Sequence, residues 1–167
     1  MQLPSVDVFI GLFFLIGIAY GFILQRERTI TYLCSTYIGI VIASNFSSNV
    51  FDFFNGNKVI ANQLWIKSNL SLSTISVAIL LIAVFFVSGA INSQNKKASE
   101  ISATEVFVYS ALTVALILSS ILGFLPEDQR NGYLDGSKTA SLLYGFRNLL
   151  IIIPPIMLIV LNWNKKK

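Results

Sequence analysis

Arg147 and Asp7 are the charged side chains best placed to do chemistry in this sequence, because each borders a long apolar run. A guanidinium in that position can hold an anionic substrate or pair with an acidic loop residue. Its plainer role, adopted here, is to snorkel towards water. A carboxylate just ahead of an apolar run can act at an interface. The reading adopted for Asp7 is a first-turn residue, where the helix dipole favours negative charge. Asp128 and Asp135 share one polar stretch. Two carboxylates can bind a cation together, but solvated loop charge is the simpler reading. Cys34 is the single cysteine, and there is no histidine. This rules out an intramolecular disulfide, a His/Cys metal site and any His-based triad or proton relay. Ser and Thr are plentiful, but no base accompanies them as nucleophiles, and no Gly-rich phosphate loop occurs. The expectation is a chain without catalytic residues, metal or cofactor, and not an enzyme.

The elements that would carry these residues are apolar helices. Of 167 residues, 54% are hydrophobic and 12% charged, with a mean hydropathy of +0.72. Soluble domains carry roughly twice that share of charge, so lipid is the solvent that accounts for such a surface. Five runs are long enough, or nearly so, for crossings of about 20 residues: 8–24, 30–46, 70–91, 106–125 and 142–163. The predicted fold is therefore an all-α integral membrane protein forming a single membrane domain over 1–167. Between the second and third runs, Val59, Ile60, Leu64 and Trp65 recur at helical spacing beside Lys58 and Lys67. That predicts an amphipathic interfacial helix over about 58–67, with Trp65 at head-group depth. Glu127 to Thr139, with turn signals at Asn131-Gly132 and Asp135-Gly136, reads as a polar loop. Pro154-Pro155 should kink or break the last run, which Trp163 and the three terminal lysines would anchor at the interface.

Small residues mark where helices would pack. Gly17 and Gly21 form a small-xxx-small pair, and Gly39 and Ala43 repeat it on the next run. Such pairs open a groove in which a second backbone can approach. Only about five residues separate the first two runs, so a tight hairpin must join them. No Asp, Glu, Lys or Arg occupies the middle of the first four runs, whereas coupled transporters and proton pumps usually keep such groups at the midplane. The net charge of +4 lies mostly at the ends of the apolar runs, which suits anionic lipid and gives no nucleic-acid signature. With the N-terminus outside, Arg26, Arg28, Lys96, Lys97 and Lys165 to Lys167 face the cytoplasm. They outweigh Lys58, Lys67, Arg130, Lys138 and Arg147 opposite, so the expected orientation is N-out and C-in.

Asp7 leads an apolar helix into Gly17-Ile18-Ala19-Tyr20-Gly21-Phe22. The basic link Gln25-Arg26-Glu27-Arg28 follows, then Tyr37 to Ser44 around Gly39, then an amphipathic stretch around Val50 to Phe54. Over roughly residues 5–60 this resembles the colicin V production protein family (CvpA-like). Tyr144-Gly145-Phe146-Arg147 is a looser likeness to the charged, Gly-rich lead-in to that family's last helix. The family usually has four spanning helices, against five runs here. The resemblance implies a protein of the bacterial cytoplasmic (inner) membrane with a non-catalytic accessory or scaffold role in envelope maintenance or secretion. Asp7, Gly17, Gly21 and Gly39 would carry over as structural residues. The partners expected are the bilayer and other membrane proteins or a second copy. A small channel or permease, as a single chain or a homo-oligomer, is the alternative, suggested by the Ser/Thr-rich second to fourth runs and the Pro154-Pro155 break.

Overall fold

The computed structural model describes residues 5–54, 70–91 and 103–164, except for the side chains of 25–27, 158 and 160–164. The described chain is helical: α1 (Val6–Phe54), α2 (Leu72–Ala90), α3 (Ala103–Phe124), α4 (Glu127–Gly136), α5 (Lys138–Gly145) and α6 (Arg147–Asn164). The proposed interfacial helix over 58–67, with Trp65, lies outside the described residues, and so does the Trp163 side chain.

Among the described residues, four segments are long and apolar enough to cross a membrane: Val6–Leu24, Arg28–Phe54, Leu72–Ala90 and Ala103–Phe124. A bent pair, Lys138–Gly145 with Arg147–Met157, makes a fifth if counted as one span. The first two segments are limbs of α1, and contacts show that the chain reverses between them. In a straight helix, residues 8 and 12 apart are about 12 and 18 Å apart along the axis. Yet the Thr29 hydroxyl donates to the Gly21 carbonyl at 3.3 Å. The Tyr20 and Tyr32 hydroxyls meet at 3.4 Å, with ring centroids 5.9 Å apart, edge to face.

The second limb continues past the expected end at residue 46 to Phe54. Polar side chains near that point bond back to their own helix instead of ending it. Ser44 Oγ donates to the Ile40 carbonyl at 2.8 Å, and Asn45 Nδ2 donates to that of Val41 at 2.7 Å. Val50, Phe51, Phe53 and Phe54 are thus its last turns.

The chain divides into two compact units, Met1–Leu33 with Ser93–Lys167, and Cys34–Asn92. In the second unit, Ser71 caps α2 by accepting from the Thr74 N–H at 3.2 Å. The buried face of α2 consists of Ser73, Ile75, Ser76, Leu80, Ala83 and Val84. Ala43 is fully buried, and Gly39 lies directly against Leu80 and Val84.

In the first unit α3 is the central helix and packs on α5 and α6. Its buried residues include Val106, Tyr109, Ser110, Thr113, Leu116 and Ser120, the three-and-four spacing of one helical face. Gly17 meets Val114 and Gly21 meets Ser110. The residue numbers rise along one helix as they fall along the other, so the first limb and α3 run antiparallel. The same register carried onward brings Asp7 level with the C-terminal end of α3.

Two expectations about the C-terminal third are corrected. Glu127 to Gly136 is a helix, not a loop. It has acidic residues in its first turn, which the helix dipole favours, and it packs against α5. Both Asn131-Gly132 and Asp135-Gly136 lie within it. The break in the last segment falls at Phe146, where the axis turns by 61°, and not at Pro154-Pro155, which sit inside α6. Phe146 leaves helical geometry at φ −91°, ψ 9° and still donates its N–H to the Leu142 carbonyl at 2.9 Å. Pro154 and Pro155 remove the N–H donors that Leu150 and Ile151 would otherwise receive. Both of those residues retain interactions of their own, and the helix passes through.

Candidate functional site

A group of polar residues of the first unit lies at the end of α3 that Asp7 also reaches. Pro126 precedes α4, and Ser137 separates α4 from α5. Ser137 is 2% exposed and works in two directions. Its Oγ accepts from the Ala140 N–H at 3.0 Å, capping α5, and donates to Asp7 Oδ1 at 2.6 Å. The Thr139 N–H also donates to Asp7 Oδ1, at 3.1 Å. Asp7 thus stands in the first turn of its own helix and also closes the start of α5, 130 positions away in sequence. A carboxylate at a helix N-terminus is favoured there by the free N–H groups and the dipole. Both donors bind Oδ1, so the carboxylate links the start of α1 to the start of α5.

Arg147 opens α6 and lies over Gly123 of α3. A methyl group on Gly123 would stand 2.6 Å from both Cζ and Nη1 of Arg147 and 3.0 Å from Nη2. The glycine is therefore the seat of the guanidinium. Arg147 Nε is buried without a hydrogen-bond partner. Leaving such a donor unmet costs about 1–3 kcal/mol, and more for a charged group. The acidic partner considered for Arg147 in the polar stretch is not found among the described residues.

Arg130 is placed differently. Its guanidinium lies 4.9 Å from the centre of the Tyr144 ring, and its Nη2 donates to Glu127 Oε1 at 3.3 Å. Glu127 is 84% exposed, so the ion pair adds little stability. The ring contact does more, because it joins α4 to α5 through a cation–π attraction.

Asp128 and Asp135 lie seven residues apart on α4, about 10 Å along its axis. Their carboxylates cannot share one cation held at about 2.5 Å. Among the described residues, no group of three or more His, Cys, Asp or Glu side chains is arranged to hold a metal.

The small residues divide by face. Gly17, Gly21 and Gly39 lie at close helix contacts, whereas Gly11 and Gly89 have open space beside them. The hydroxyls of α3 serve their own helix. Ser110 donates to the Val106 carbonyl at 2.7 Å, Thr113 to that of Tyr109 at 2.7 Å, and Ser120 to that of Leu116 at 2.7 Å. This back-bonding lets a polar residue pack as a small one. Cys34 is exposed.

Ser137, Gly123 and Tyr144 hold the site together; of these the sequence reading touches only Tyr144, as part of Tyr144-Gly145-Phe146-Arg147 and with no contact assigned to it. Ser137 directly ahead of a helix is a capping signal, and it was the one available clue. Nothing local marks Gly123 or Tyr144, whose roles depend on residues from another helix.

Comparison with known proteins adds no relative: no protein family, curated protein or solved structure matches the chain.

Proposed function

We propose that this chain is a multi-pass integral membrane protein with a non-catalytic accessory or scaffold role. The observation that carries this reading is the apolar outer surface of the helices. Ile23 is 77% exposed, Phe85 72%, Phe86 70% and Leu15 66%, and many other large apolar side chains on these helices are exposed beside them. In water, large apolar side chains exposed in this number drive association. In a bilayer it faces its natural solvent, and the helices satisfy their own backbone hydrogen bonds. The segments of 19, 27, 19 and 22 residues reach about 28–40 Å, enough for a hydrocarbon core of about 30 Å. A fifth crossing would be α6, entering at Arg147, with α5 turned aside at the interface. The orientation proposed is N-out and C-in, on the distribution of basic residues.

The accessory role rests on two supports. One is the resemblance of residues 5–60 to the colicin V production protein family, which suggests envelope maintenance or secretion in a bacterial inner membrane. The other is the set of glycine-mediated contacts, which suits a protein whose work is helix association. The channel alternative has less support, because Pro154-Pro155, the backbone break on which it drew, lie inside the continuous helix α6.

The test is cross-linking and co-purification from native membranes in mild detergent. A reproducible partner from an export or cell-wall system is the expected result. A homo-oligomer alone that passes ions or small solutes in proteoliposomes would replace this reading with the channel. A C-terminal reporter active only outside the cytoplasm would overturn the orientation.

A further inference from the structure

We propose that Arg147 anchors an oxyanion site where α6 meets the end of α3, taking a phosphate group at the membrane surface. The inference rests on the membrane reading above. Its ground is the condition of one side chain. The Arg147 guanidinium is folded onto α3, with Nε buried and unpartnered. Gly123 provides the seat, since any side chain there would occupy the space of Cζ, Nη1 and Nη2. No described carboxylate neutralises it. Arg130 Nε is likewise buried and unpartnered, but the Arg130 guanidinium pairs with Glu127 through Nη2 and faces the Tyr144 ring, and among the described residues Arg147 has no such partner. Asp7 is engaged with Ser137 and Thr139. Arg147 is therefore a cation at this end of α3 with no acidic partner among the described residues.

Phosphate suits this geometry. A guanidinium presents a planar fork of donors that matches two oxygens of a phosphate. The polar end of α3, marked by Pro126 and the hydrophilic α4, is the level at which lipid head groups would lie. The same chemistry could be met by the head group of an anionic phospholipid or by free phosphate.

The test uses the full chain in detergent. One arm is native mass spectrometry after equilibration with phosphatidylglycerol or, as control, phosphatidylcholine. The other is thermal unfolding with and without inorganic phosphate. The variants are Arg147→Gln, which removes the charge, and Gly123→Ala, which keeps it but unseats it. Loss of one charge-assisted contact should weaken binding roughly tenfold or more. Selective retention of phosphatidylglycerol by the native chain, weakened in both variants, assigns the site to a lipid head group. Stabilisation by phosphate that both variants lose assigns it to a free oxyanion. Should Arg147→Gln fail to fold, Gly123→Ala decides alone. Equal binding by native and variant chains, or none by the native chain, overturns the site. Recovery in carbonate-washed membranes tests the membrane reading separately: a chain that stays in the membrane but shows no Arg147-dependent binding loses only this proposal.

Discussion

Gly39→Ala and Gly89→Ala should move stability in opposite directions. A methyl group on Gly39 would sit 2.9 Å from Val84 Cγ2, 3.2 Å from Leu80 Cδ1 and 3.2 Å from the Leu80 carbonyl oxygen. Comfortable carbon contacts begin near 3.5 Å, so the space is short by roughly 0.5 Å on two sides. Val84 can turn, but the Leu80 carbonyl belongs to the backbone of α2 and moves only with the helix. Overpacking of this kind costs about 1–3 kcal/mol. The exchange also returns about 1 kcal/mol of helix propensity, leaving a net loss of roughly 0–2 kcal/mol. Gly89 has nothing within 4 Å, so alanine there collects only the propensity gain, about 0.5–1 kcal/mol. The two variants should therefore differ by about 0.5–3 kcal/mol. Unfolding in mixed micelles, followed by circular dichroism against denaturing detergent, measures both. Val84→Ala added to Gly39→Ala should recover part of the loss and not all, because the Leu80 carbonyl remains. Equal shifts of the same sign in the two glycine variants would refute the reasoning.

Gly21→Ala should destabilise the pairing of the first limb with α3, because the added methyl meets both Oγ and Cβ of Ser110. Ser110→Gly should rescue it better than Ser110→Ala, and equal rescue in the same unfolding assay would deny that contact. Ser137→Ala should cost about 1–2 kcal/mol through loss of the α5 cap. Asp7→Ala should speed hydrogen exchange at the Thr139 amide, with Asp7→Asn between it and the native chain. Unchanged exchange in Asp7→Ala would place the carboxylate elsewhere in solution. Cys34, exposed on the helix surface, should resist charged thiol reagents in intact vesicles and react after denaturation, since a charged reagent does not enter the hydrocarbon core. Rapid labelling in vesicles would put that face in water.

Much of the helical framework is legible in the chain itself. Unbroken apolar runs of crossing length determine α2, α3 and the two limbs of α1 as helices, because transfer from water is a sum over neighbouring side chains and needs no partner. The absence of histidine and the single cysteine decide equally locally which chemistries are closed. Spacing also marks Gly17, Gly21, Gly39 and Ala43 as a packing set, without saying what they would meet.

Tertiary structure decided the rest. Gly11 and Gly17 look alike in sequence, but only Gly17 has Val114 against it. The second apolar run ends at residue 46, but the Ser44 and Asn45 side chains bond back to Ile40 and Val41 and the helix continues to Phe54. The turn signals inside α4 yield to a helix packed on α5 and tied to it by the Arg130–Tyr144 contact, and the bend moves from the proline pair to Phe146. Asp7 reaches Ser137 across most of the chain, and Arg147 rests on a glycine of another helix. Such contacts depend on which faces meet after the helices assemble, and that is a property of paired surfaces that no single run of residues contains.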